Sequence, residues 1–101
     1  MENRHIAFSP PDITEEEIAE VADTLRSGWI TTGPKTKKFE NETAAFCHTS
    51  KAVCLNSATA CAEMSLRVLG IGPGDEVITS AYTYTASASV AVHVGATLVL
   101  V

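Results

Sequence analysis

The chain has 101 residues, of which 46% are hydrophobic and 19% charged, and its formal net charge is −5. This length allows one modest domain, and the composition suits a globular chain and argues against disorder. The negative net charge argues against nucleic acid or an acidic membrane surface as a partner.

The first predicted element is an amphipathic helix. Thr14 and Glu17 have the spacing of a capping box, in which each residue satisfies a backbone donor of the other. Apolar residues then recur at helical spacing, which predicts a helix over residues 15–26 that ends near Gly28.

A second helix follows the segment "WITTGP". Pro34 suits the first turn of a helix because its missing N–H would have no partner there. The helix is predicted to reach Phe46, with Phe39 and Phe46 facing inward. Near its start lie three lysines, which indicate either a solvated basic edge or a patch that attracts a phosphorylated ligand: Lys35, Lys37 and Lys38.

The second half of the chain alternates strands and helices. The pattern predicts strands over 52–56, 77–80 and 97–101, and helices over 58–69 and 83–93. This alternation is typical of a parallel sheet, and the nearly continuous apolar strands indicate a sheet with helices on both faces. The predicted fold class is therefore α/β.

The helix over 58–69 carries two local signals. Glu63 and Arg67 have the i, i+4 spacing of an ion pair on an exposed helix face. Gly70 is placed to end the helix.

The chain has three cysteines, Cys47, Cys54 and Cys61. Their odd number and the lack of a CxxC pair fit the reducing cytoplasm. Their seven-residue spacing, with His48 nearby, raises the question of a metal site, but zinc sites favour shorter paired spacings. We expect the cysteines to be structural and no metal to be bound.

Targeting and membrane signals are not expected. The N-terminal residues 1–8 lack the apolar core of a secretory signal. Residues 77–101 carry no Asp, Glu, Lys or Arg, which raises the possibility of a membrane span. Ser, Thr and Gly95 interrupt this stretch, so it is predicted to form buried strands and a helix.

Two candidate binding features follow the predicted strands, where parallel sheets bind ligands. After the first strand, the backbone N–H groups of Ala58, Thr59 and Ala60 are expected to point out of a helix N-terminus, which is an anion site by geometry. The alternative is an ordinary Ser57 helix cap.

Aromatic residues follow the second strand. Tyr82 and Tyr84 offer flat faces on which a heteroaromatic ring can stack. The alternative is packing of these rings in the core. An anion site beside an aromatic face is suited to a phosphorylated aromatic ring.

Three blocks of the chain together resemble one protein family. The blocks are "SGWITTGPKTKKFE", "NSATACAEMSLRVLGIGPGDEVIT" and "AYTYTASA". Their order and spacing are similar to the N-terminal part of the DegT/DnrJ/StrS aminotransferases, which use pyridoxal 5′-phosphate (PLP) to aminate keto sugars attached to nucleotides. Within that family the chain looks most like the branch that acts on 4-keto sugars for surface polysaccharides.

The resemblance implies the fold type I aminotransferase architecture and a cytoplasmic homodimer. It implies PLP as the cofactor, a nucleotide-linked keto sugar as the substrate and an amino acid as the amino donor. By position, Ser57, Ala58 and Thr59 match the phosphate-binding block, and Tyr84 matches the aromatic residue that stacks on the pyridine ring. Three further residues match a segment near the substrate entrance: Thr31, Thr32 and Gly33.

The resemblance also implies how much of an enzyme the chain contains. Residues 1–33 correspond to an N-terminal helix and extended arm, and residues 34–101 to a helix followed by a βαβαβ segment of the large domain. The small C-terminal domain and the Schiff-base lysine lie beyond this chain, so the 101-residue chain alone is expected to be inactive. Two alternatives stay open: a PLP-dependent sugar dehydratase of the same family, and a non-catalytic remnant that acts only in oligomerisation.

Overall fold

The computed structural model describes residues 9–101. The expectation that residues 1–8 carry no secretory signal therefore lies outside the described residues. The chain divides into two compact units, one ending at Ala52 and the other beginning at Val53. The first unit contains both predicted N-terminal helices.

The first unit contains helices α1 (Glu15–Ser27) and α2 (Pro34–Phe46). The predicted capping box of α1 is confirmed: Glu16 N–H donates to Thr14 Oγ1 at 3.2 Å, and Thr14 N–H donates to Glu17 Oε2 at 2.6 Å. The Thr14 hydroxyl also donates to Glu17 Oε2 at 2.6 Å, and this bond, followed by the one from the Thr14 N–H, lowers the pKa of the Glu17 carboxyl below its ordinary value. The start of α1 is therefore fixed by the local sequence.

The inward orientation predicted for two phenylalanines of α2 is wrong. Phe39 is 63% exposed and Phe46 is 85% exposed, whereas Ala44 is the buried residue of this helix. At 3.6 residues per turn, Ala44 lies roughly 140–160° around the helix from both rings. The helix therefore buries the side that carries Ala44, roughly opposite the one that its aromatic residues indicated.

The second unit is a short α/β arrangement. Its elements are, in chain order, α3 (Ala58–Val68), β1 (Glu76–Thr79), α4 (Ala86–His93) and β2 (Thr97–Leu100). The two strands are parallel, with Glu76 in register with Thr97 and Thr79 with Leu100. The predicted α/β class and the parallel pairing are confirmed.

The core of this unit lies along α4, which packs on both strands and on α3. Its buried residues are small: Val90, Ala91, Val94 and Ala96, with Ala91 completely inaccessible. Such residues allow a helix to approach a sheet and a second helix closely, since protein interiors are close-packed. The helix begins three residues later than predicted, which leaves residues 83–85 in the preceding loop.

The strand predicted over residues 52–56 is not formed. The sheet of the described residues consists of β1 and β2 only, and a strand requires a neighbouring strand to satisfy its backbone groups. Val53, which a covered strand would bury, is 75% exposed. An apolar run alone therefore did not determine a strand.

The expectation that helices cover both faces of the sheet remains a prediction. Within the second unit α4 is the helix that packs on the strands, and Ile78 of β1 remains 67% exposed. None of the helices in the described part of the chain has the length and hydrophobicity needed to cross a membrane.

Candidate functional site

The candidate anion site lies at the N-terminus of α3. Ser57 precedes the helix in an extended conformation (φ −162°, ψ 157°), and its Oγ accepts the N–H of Ala60 at 3.1 Å. This bond is the ordinary serine cap that the sequence offered as an alternative. The expectation that the Ala60 N–H is free to bind an anion is therefore wrong.

Two backbone donors remain at the same helix end. The N–H groups of Ala58 and Thr59 have no acceptor among the described residues, as is usual for the first turn of a helix. The first turn of α3 contains no acidic side chain, and the helix dipole there favours an anion. The cap and the anion site are compatible, because Ser57 uses its oxygen as an acceptor and keeps its hydroxyl proton.

The candidate stacking residue lies in the loop between β1 and α4. Tyr84 is 81% exposed and Tyr82 is 99% exposed, so neither ring is packed in the core. The loop is tied to the first turn of α4, since Ser87 N–H donates to the Tyr84 carbonyl at 3.0 Å and the Thr83 and Ser87 hydroxyls lie 3.1 Å apart. Tyr84 therefore offers its ring to solvent from an anchored backbone.

The structure brings these two features to the same end of the second unit. At the other end, His93, the last residue of α4, contacts Glu63 in the middle of α3 and Arg67 near its C-terminus, and a Cβ at Gly72, just beyond α3, would lie 3.5 Å from the Val94 carbonyl oxygen. The C-terminal ends of the packed helices α3 and α4 therefore lie together, which indicates that the helices run in the same general direction. Both N-termini face the carboxyl end of β1, where a parallel sheet places its ligands.

The contact of His93 with Glu63 is a feature that the sequence analysis missed. The predicted i, i+4 pair of Glu63 and Arg67 is present, with a shortest separation of 2.7 Å. His93 Nδ1 lies 2.9 Å from the second oxygen of the same carboxylate. A histidine 30 positions away carries no local signal for such a contact.

The candidate substrate residues belong to the first unit. Thr31 and Gly33 line a cavity of about 190 Å³, whereas Thr32 is not among its lining residues. Trp29 forms part of its wall, and a Cβ at Gly33 would lie 3.1 Å from the Trp29 ring. The remaining lining residues are Thr24, Ser27, Ile30, Pro34, Lys35 and Thr36.

The lysines at the start of α2 are neutralised by carboxylates. Lys35 Nζ lies 2.8 Å from both Asp23 Oδ2 and Glu20 Oε1, and these hydrogen bonds, Asp23 first, raise the pKa of the Lys35 ammonium. The other two pairs are looser: Lys37 with Glu40 at 3.7 Å and Lys38 with Glu42 at 3.8 Å. This arrangement favours a solvated edge over a phosphate-binding patch.

The cysteines are not gathered into a cluster. Cys47 and Cys61 are exposed and Cys54 is half-buried. Within residues 9–101 the structure has no group of three or more His, Cys, Asp or Glu side chains placed to hold a metal ion.

Curated relatives cover the chain almost completely. The chain is 50% identical over 95 residues to the spore coat polysaccharide biosynthesis protein SpsC of Bacillus subtilis, a match over 94% of this chain and 24% of that protein. It is 46% identical over all 101 residues to the UDP-4-amino-4-deoxy-L-arabinose–oxoglutarate aminotransferase of Shewanella sediminis, of which it covers 26%. The chain thus spans about a quarter of the length of these relatives.

Solved structures give the same result. The chain is similar to the Streptococcus pneumoniae protein Spr1654, assigned as a sugar aminotransferase, in its PLP form. The identity is 67% and the TM-score 0.83, over 97% of this chain and 25% of that one. The same protein has also been solved in a PMP (pyridoxamine phosphate) form. Since the sequence profile of the DegT/DnrJ/EryC1/StrS aminotransferase family matches residues 11–101, the chain belongs to that family.

Proposed function

We propose that the chain is the N-terminal part of a PLP-dependent sugar aminotransferase. The observation that carries this proposal is the pair of unpartnered N–H groups at Ala58 and Thr59, at the N-terminus of an 11-residue helix. They occur in a chain that is 67% identical to a protein solved with PLP. A phosphate group is the ligand that such a helix end accepts best.

The residues around this helix end fit the chemistry of PLP. Ala58 and Thr59 bind its phosphate through backbone N–H groups, and the Ser57 hydroxyl adds a third donor. Tyr84 orients the pyridine ring by stacking. When bound, PLP supplies the electron sink for transfer of an amino group, while the protein supplies orientation and electrostatics.

The proposed substrate is a keto sugar attached to a nucleotide, and the proposed amino donor is an amino acid such as glutamate. Support comes from the Shewanella relative, whose name pairs a UDP-linked amino sugar with oxoglutarate, and from SpsC, named for polysaccharide biosynthesis. We assign Thr31, Thr32 and Gly33 to sugar contact. The Trp29 face beside Gly33 is suited to the apolar face of a sugar ring.

The lysine that binds PLP covalently is assigned to the part of the relatives that this chain does not match. Such a lysine must lie against the cofactor, at least partly shielded from water. None of the chain's four lysines meets this requirement: three are in ion pairs with carboxylates, and Lys51 is exposed. We therefore propose that the 101-residue chain alone is inactive. We propose further that the full-length protein is a cytoplasmic homodimer with a small C-terminal domain.

The proposed function is tested by adding PLP to the full-length protein. We expect a visible absorption band of bound cofactor that decreases when glutamate is added, because the amino group passes to the cofactor. The measurement is an absorption titration, with pyridoxine 5′-phosphate, which lacks the reactive aldehyde, as a control that gives no such band. No band at excess PLP, or a band that no amino acid changes, would contradict a transaminase.

The stacking role of Tyr84 gives a second expected result. Tyr84→Ala is expected to weaken PLP binding roughly 2- to 12-fold, since aromatic pairs contribute about 0.5–1.5 kcal/mol beyond their buried area. Tyr84→Phe should bind nearly as tightly, because the ring is kept. Tyr82→Ala is the matched control, and equilibrium dialysis gives the affinities. If Tyr82→Ala weakened PLP binding and Tyr84→Ala did not, the stacking residue would be Tyr82 and the assignment of Tyr84 would be wrong.

A further inference from the structure

A three-residue cluster joins α3 to α4. Glu63 Oε1 accepts from Arg67 Nη2 at 2.7 Å and Nε at 3.0 Å, and Glu63 Oε2 lies 2.9 Å from His93 Nδ1. Arg67 Nη2 also lies 3.5 Å from the His93 carbonyl oxygen. Both oxygens of one carboxylate are therefore used, and the cluster bridges two helices.

The cluster provides a directional contact between α3 and the helix on which it packs. The helix contains no buried residue, and its main packing partner is α4. Of its contacts, the hydrogen bond between Glu63 and His93 crosses to α4 and joins one particular residue of each helix. A charge-assisted bond of this kind is directional, so it specifies how the two helices are placed along each other.

The cluster lies within about two helical turns of the first residue of each helix. At 1.5 Å per residue, Ala58 lies about 7.5 Å along α3 from Glu63, and Ala86 lies about 10.5 Å along α4 from His93. Since the helices run in the same direction, a rotation of one about this contact changes the separation of their N-termini.

We propose that Glu63 is a positioning residue that sets the spacing between the phosphate-binding N-terminus of α3 and Tyr84 before α4. This inference rests on the proposed function. A ligand with one end on each helix senses this spacing, whereas a ligand bound at one end only does not. The hydrogen bonds from Arg67 and His93 keep the carboxylate ionised, since they lower the pKa of Glu63.

The test compares two ligands on the full-length protein, PLP and pyridoxal, which lacks the phosphate. The dissociation constant of pyridoxal divided by that of PLP measures how much the phosphate contributes to binding while the ring is in place. Glu63→Ala is expected to reduce this ratio about tenfold, because it removes hydrogen bonds to a charged group. Glu63→Gln should restore most of it, since an amide of the same size can bond to Arg67 and to a neutral imidazole.

The matched control is Glu42→Ala, which removes an i, i+4 pair within a single helix and should leave the ratio unchanged. A variant that only destabilises the protein weakens both ligands equally, so an unchanged ratio in Glu63→Ala would overturn the inference. His93→Ala provides the same test if Glu63→Ala does not fold. A wild-type protein that does not distinguish the two ligands would overturn the phosphate site itself, and the inference with it.

Discussion

Replacing Ala58 with proline is expected to weaken PLP binding roughly 10- to 150-fold, because it removes one hydrogen bond to a charged phosphate, worth about 1.5–3 kcal/mol. The fold should tolerate the change. Ala58 is the first residue of α3, where proline is favoured, and Ser57 already has the extended backbone that must precede a proline. The variant therefore removes a donor without breaking the helix.

The chain offers a matched control for this proline. Glu15 is the first residue of α1, and the preceding Thr14 is also extended (φ −103°, ψ 179°). Glu15→Pro should leave the PLP affinity unchanged, as measured by fluorescence titration of the full-length protein. Equal affinities for Ala58→Pro and the wild type, with both proteins folded by circular dichroism, would refute the phosphate assignment.

The local signals of the sequence predicted the helices well. The capping box of Thr14 and Glu17 and the N-terminal Pro34 determine helix starts through contacts within a few residues. The buried face of α2 and the strand over residues 52–56 were mispredicted for a different reason. Burial and strand pairing depend on groups far away in the chain, and an apolar side chain does not specify which neighbour will cover it.

In the candidate site, too, some features follow from the local sequence and one contact does not. Ser57 and the two free N–H groups follow from where α3 begins, so the sequence could indicate them. The contact between Glu63 and His93, by contrast, joins the middle of α3 to the end of α4. The alternation of strands and helices was enough to predict that the anion site and the tyrosines lie at the same edge of the sheet. A contact between residues 30 positions apart has no periodic or motif-like signal, so this contact could not be predicted.

The turn from α4 into β2 gives the second large expected effect. Gly95 has a positive φ of 83°, and a Cβ there would lie 3.1 Å from Pro73 Cγ. Gly95→Ala is expected to lower the free energy of unfolding by about 2–3 kcal/mol, because the left-handed conformation costs about 1–2 kcal/mol and crowding adds to it. The proline ring is rigid and cannot rotate away, so the crowding is relieved only by moving the backbone that carries Ala96 into the core.

A substitution at Gly70 distinguishes the cost of the left-handed conformation from the cost of crowding. This glycine ends α3 with a φ of 75°, and the next N–H bonds five residues back, as it does after Gly95, but a Cβ there would meet nothing within 4 Å. Gly70→Ala should therefore lose only the conformational part, about 1–2 kcal/mol in urea unfolding. Adding Pro73→Ala to Gly95→Ala should recover the difference between the two glycine variants. If both glycine variants lost the same stability, the contact with Pro73 would contribute nothing, and the turn would depend on backbone conformation alone.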